Sequence, residues 1–228
     1  MTAGRLGSSA WASFLEAALF ERLLLVAALV FLTSGGAHAE DAARRAAATK
    51  SSPQKVVLAG TGYKVDLAAP PLPARSPAEQ HALMKAIVDW LAHEFGLPAN
   101  HDYPTIQLTS AARITTFRFT GRLSDRHEDR AAVPPGQRAV VATYDGGAQT
   151  IYLPAGWTGR TAAELSVLVH ETVHHLQHLA GTRFECTQAS ETLAYAAQEK
   201  WLALFGRSLE SEFEIDPFTR LVSTRCMQ

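Results

Sequence analysis

The densest chemistry in the sequence lies in VLVHETVHHLQHLAG, residues 167–181, which holds His170, His174, His175, His178 and Glu171. Two histidines four positions apart on a helix share one face, with Cβ atoms about 5–6 Å apart, so both rings can reach one metal ion. The next residue along the helix points roughly 100° round the axis. Glu171 therefore stands beside the His170–His174 pair, where a carboxylate can take a proton from water. His175 turns away from the pair by the same geometry, and His178 lies about 12 Å along the axis from His170. Both are expected to be exposed surface histidines, and a third ligand has to come from another element. The plainer alternative is a histidine-rich helix face that holds no ion.

A long helix is well signalled here. Thr161 and Glu164 form a capping box, Leu165, Leu168, Val169, Val173, Leu176 and Leu179 supply the helical period, and Gly181 is a stop. The following segment, residues 187–205, reads as a second helix ended by Gly206. Its stripe of Glu191, Ala194, Tyr195, Gln198, Trp201, Leu202 and Phe205 is expected to face inward. A carboxylate at the head of such a stripe is expensive unless paired or bound to metal, which makes Glu191 the best third ligand. Glu185 and Cys186 in the turn and Glu199 off the stripe are its rivals. A role for Glu191 as partner to a histidine ring is the other reading.

On these residues the chain resembles the zincin metallopeptidases of the gluzincin type, in which a glutamate on the helix after H-E-x-x-H completes the zinc site. The metzincin extension is absent, because Gln177 and Ala180 occupy its glycine and third-histidine positions. The resemblance covers residues 160–205 and looks closest to small exported bacterial members. It implies an α+β minimal domain: an N-terminal helix, a small, mainly antiparallel sheet whose edge strand binds extended substrate, the H-E-x-x-H helix, and a helix with the third ligand. It also implies His170, His174 and Glu191 as zinc ligands and Glu171 as general base. The family's frequent E-x-x-x-D is not matched, since Tyr195 replaces the aspartate. Tyr195, one turn from Glu191, is a candidate oxyanion stabiliser; the alternative is a tyrosine packed in the core. The expected activity is zinc-dependent hydrolysis of peptide bonds, with a peptide or protein as substrate. An exported zinc-binding or interaction protein without turnover is the alternative.

Elsewhere the chain supplies scaffold. Ser76, Pro77 and Glu79 start a helix that Gly96 ends, with Leu83, Ile87, Trp90 and Leu91 on its buried face. His81 and His93 sit on it, and His93-Glu94 lacks the second histidine of a metal motif, so it reads as surface. Strands are expected over residues 105–109, 113–120, 139–144 and 150–153, the last two as a hairpin across Asp145-Gly146-Gly147. If 150–153 is an edge strand, an extended peptide can add to it. Residues 121–138 read as a solvated loop. Short strands are expected either side of Gly60-Thr61-Gly62, which lacks nucleotide-binding spacing.

The 228 residues and 47% hydrophobic content suit one domain, and 21 Lys+Arg against 22 Asp+Glu give no bulk charge for nucleic acid. The apolar run 23–32 after Arg22, leading to Ala37-His38-Ala39, reads as an export signal over residues 1–39, placing the chain in the periplasm or medium. An uncleaved membrane anchor is the alternative. Residues 40–75 are expected to be a linker and extended segment, and 76–228 the zincin-like domain. In an oxidising compartment Cys186 and Cys226 are expected to pair, restricting the unfolded chain by roughly 4 kcal/mol.

Overall fold

The computed structural model describes residues 53–120 and 142–226. The expected export signal, the first part of the linker, the loop 121–138 and the start of the strand at 139 fall outside these residues.

The fold is α+β, with five strands and six α-helices among the described residues: β1 (Lys55–Val57), β2 (Lys64–Asp66), α1 (Pro77–Phe95), β3 (Thr105–Thr109), α2 (Ala111–Thr120), β4 (Thr143–Asp145), β5 (Thr150–Pro154), α3 (Ala162–Leu179), α4 (Thr187–Leu204), α5 (Leu209–Phe213) and α6 (Pro217–Ser223). No helix among them is long and apolar enough to cross a membrane. Both long-range helix starts follow from local sequence. Ser76 accepts from the Glu79 amide while Glu79 accepts from the Ser76 amide, and Thr161 and Glu164 do the same for α3. Glu164 further accepts from the amides of Thr158 and Arg160, so the loop before α3 is tied to its first turn.

One core joins these elements. Leu83, Ile87, Trp90 and Leu91 of α1 pack with Leu165, Leu168 and Val173 of α3 and with Trp201 and Leu202 of α4. The Trp90 and Trp201 rings meet edge to face at 5.5 Å, the geometry their quadrupoles favour. Leu58, Val65, Leu67 and Leu72 are buried in the same core, and the compact unit runs from Ser52. Strands β1 and β2 form an antiparallel hairpin across Gly60-Thr61-Gly62, as expected from the sequence, and pack on this core ahead of Ser76.

The three-stranded sheet has the order β3-β5-β4, with β5 parallel to β3 and antiparallel to β4. The β4–β5 hairpin closes on Asp145, whose carboxylate accepts from the amides of Gly147 and Ala148. Strand β5 is therefore central, so the condition for adding a peptide to 150–153, that it form an edge, is not met. Its TIYLP run is buried over four successive residues, the pattern of a strand covered on both faces.

Residues 113–120 are also corrected, from strand to helix. Their β-branched and aromatic content suggests a strand, but that propensity reflects packing context more than backbone preference. Ser110 caps the segment instead, its hydroxyl accepting from the Arg113 amide and its carbonyl from Ile114, and Ala111-Ala112 supply a helical first turn. This change of element puts Arg118 at the site.

Candidate metal centre

Helices α3 and α4 pack antiparallel along their length, as the pairs Gln177–Ser190 and Ser166–Gln198 show. The packing brings His170 and His174 of α3 against Glu191 of α4. The Nε2 atoms of the two histidines are 3.2 Å apart, and Oε2 of Glu191 is 3.1 Å from His170 Nε2 and 3.4 Å from His174 Nε2. Hydrogen bonds do not readily serve all three edges of this nearly equilateral triangle at once, because each N–H lies along a single edge. The three atoms suit a cation placed between them, and His170, His174 and Glu191 can hold a metal ion.

The far side of each imidazole is held by an amide. His170 Nδ1 lies 3.0 Å from Gln198 Oε1, and His174 Nδ1 lies 3.1 Å from Gln177 Oε1. Each glutamine is itself oriented: Gln198 Nε2 donates to Ser166 Oγ, which donates onward to Ala163 O, and Gln177 Nε2 donates to Ser190 O. The amide oxygens must then face the rings, so both Nδ1 atoms carry the proton and both Nε2 lone pairs face Glu191. Neither glutamine was singled out as a support in the sequence, although Gln177 is three residues after His174 and Gln198 seven after Glu191. Those spacings place each on the correct helix face.

Glu191 is 6% exposed, and its second oxygen, Oε1, accepts from Arg118 Nη2 at 3.0 Å. Burial raises the carboxyl pKa, but the His170 and His174 rings that face Oε2 outweigh it whenever they are protonated, and hold Glu191 well below the usual carboxylate range. Burial opposes the charged form of His174, and the bond to Glu191 with the charge of Glu171 overturns that, raising its pKa. Arg118 is invisible to the sequence reading because its segment reads as a strand; the cap at Ser110 is the available signal.

An open cleft of about 320 Å³ leads to the centre, lined among others by Arg118, Tyr144, Glu171, His174, His178 and Phe184. Glu171 is buried and lies on the cleft side of the His170–His174 pair. Tyr195 packs its ring against that of His170 at 4.9 Å and is half-buried on the core. Of the rivals for the third ligand, Glu185 is exposed and Glu199 accepts from the Leu209 amide at 2.7 Å, capping the turn into α5. Cys186 is bonded to Cys226.

A family model matches residues 76–227, described as a domain of unknown function, DUF6647. The chain belongs to the DUF6647 family. No curated protein matches it, and no solved structure does. The DUF6647 match takes in the three residues that can hold a metal ion, Glu171, both glutamines beside the histidine rings and Arg118, and leaves out the β1–β2 hairpin.

Within this DUF6647 domain the other two histidines of α3 part company. His178 is exposed at the cleft mouth, where the hairpin turn approaches so closely that a Cβ on Gly146 would stand 3.0 Å from its Nδ1. His175 is 1% exposed, not a surface residue as expected, because the β4 edge and the loop before β3 cover it. Its Nε2 lies 2.5 Å from the Asp102 carbonyl and so carries the proton, leaving Nδ1 to accept from the Tyr144 hydroxyl at 3.0 Å. Burial pushes the Tyr144 phenol up to about 12.

Burial also lowers the His175 pKa, more than the Asp102 carbonyl raises it. The native state therefore binds this proton less readily than the unfolded chain, whose value is near 6.5. The stability contributed by neutral His175 is fully present above that value and is lost as pH falls through the lower native value. Urea midpoints from pH 7 down to pH 5 are expected to fall with a shallower slope in His175→Gln than in the wild type. Identical slopes would remove His175 from the account.

Proposed function

We propose that this chain is a zinc-dependent hydrolase, most simply a metallopeptidase, acting outside the cytoplasm. The observation that carries this is the triangle of His170 Nε2, His174 Nε2 and Glu191 Oε2, with edges of 3.1–3.4 Å, opening onto a cleft that Glu171 lines. Tetrahedral zinc with N and O ligands at 2.0–2.1 Å requires edges of about 3.3–3.4 Å, so the donors fit without rearrangement. Two imidazoles and one carboxylate make the donor set of a catalytic site, whereas structural sites are usually closed by four ligands. When bound, zinc supplies the Lewis acidity that makes hydrolysis fast at neutral pH.

The chain's own residues supply the rest. His170, His174 and Glu191 hold the ion, and Gln198 and Gln177 fix the ring tautomers that permit it. Glu171 takes the proton of the attacking water and passes it to the leaving amine. Strand β4 borders the cleft through Tyr144 and, among the described residues, pairs with β5 along one side only, which suits the addition of an extended peptide on its other side. The disulfide and the apolar run 23–32 support export.

The test is hydrolysis of a mixed peptide substrate by the purified chain, before and after removal of metal with a chelator. Activity is expected to vanish on chelation and to return with zinc. Hydrolysis that survives complete metal removal, or no hydrolysis with zinc present, would sink the proposal.

A further inference from the structure

Glu191 uses its two oxygens differently. Oε2 faces both histidine Nε2 atoms, and Oε1 accepts from Arg118 Nη2 at 3.0 Å, an ion pair reaching from α2 across to α4. The Arg118 side chain is 45% exposed, so the pair is screened and its worth to stability is small. Its geometric effect is larger than its energy. A carboxylate with both oxygens unengaged can turn and bind an ion through both, filling an additional position. A charge-assisted bond that occupies Oε1 opposes that turn.

We infer that Arg118 is a positioning residue that holds Glu191 to a single ligating oxygen and so keeps a coordination position open on the cleft side, beside Glu171. This rests on the proposed metal centre and adds to it a residue outside the H-E-x-x-H helix and its partner. The side chain lines the same cleft as Glu171 and His174, and α2 reaches the site only because residues 111–120 are helical.

The experiment uses cobalt(II) bound to the full chain, because its visible d–d absorption weakens as the coordination number rises from four through five to six. Arg118→Met keeps the aliphatic stem and removes charge and donors at a half-exposed position; unchanged far-ultraviolet circular dichroism checks its fold. Relative to wild type, it is expected to bind cobalt with a clearly reduced visible intensity, because the second Glu191 oxygen raises the coordination number by one. Arg118→Lys, which keeps one charged donor, is expected to retain most of the wild-type spectrum. Superimposable spectra for wild type and Arg118→Met at equal cobalt content would overturn the inference. If Arg118→Met does not fold, Arg118→Gln takes its place, and a spectrum superimposable on that of the wild type at equal cobalt content would do the same. Failure of the wild type to take up cobalt would overturn the metal centre itself, a result distinct from equal spectra.

Discussion

Glu171→Gln is expected to keep its full complement of zinc and to lose hydrolysis, with kcat down by roughly 10²–10⁴-fold. The two effects separate because Glu171 is not one of the three groups whose donor atoms converge. His170 and His174 turn their Nε2 atoms to Glu191, and their Nδ1 atoms are engaged by Gln198 and Gln177. Glutamine has nearly the shape of glutamate, so the buried position on α3 stays filled. What it lacks is the capacity to take up a proton at neutral pH and return it to a leaving amine. Metal analysis of the purified variant beside its kcat on a peptide substrate checks both halves. Wild-type turnover in this variant would falsify the mechanism and leave the metal centre standing.

Glu191→Ala is expected to lose metal outright. Two imidazoles remain, and the substitution takes away one of three ligands, so the fall in affinity should exceed the roughly 10–100-fold that follows loss of a supporting partner. Gln177→Ala, which removes only such a partner from His174, provides that smaller reference effect in the same protein. The variant also strands Arg118, but at a half-exposed position where water can solvate the guanidinium, so the fold should survive. Zinc titration against a competing chelator measures all three proteins on one scale. Equal affinity for Glu191→Ala and wild type would exclude Glu191 as a ligand and return the question to Glu185 or another group.

The helical part of the fold was legible because its signals are local. Ser76-Pro77-Ala78-Glu79 and Thr161-Ala162-Ala163-Glu164 write their own capping bonds, and the buried stripe of α4 can be read at helical spacing with Glu191 at its head. The sheet was less legible because pairing partners are set at long range. Nothing within residues 150–154 says that β3, some forty residues earlier, lies parallel on one side while β4 lies on the other. Arg113-Ile-Thr-Thr-Phe-Arg-Phe-Thr was misread for a related reason: its composition fits a strand, and a single serine before two alanines tips it to helix. That one error hid Arg118. His175 was misread because helix geometry gives its direction from His174 but not what covers it, and the cover is the Asp102 loop and Tyr144.

The acceptors behind the two imidazoles are both amides, Gln198 and Gln177, where a carboxylate is the common alternative. An amide oxygen carries no net charge and pulls less on the Nδ1 proton than a carboxylate, so each ring stays a weaker electron donor through Nε2. A cation between them keeps more of its own charge and is correspondingly the stronger electrophile. Amides also do not titrate, so nothing behind the rings changes charge as the surroundings acidify. Loss of bound metal in acid then reports on the three ligands themselves, and its onset measures the competition between proton and metal for the same lone pairs.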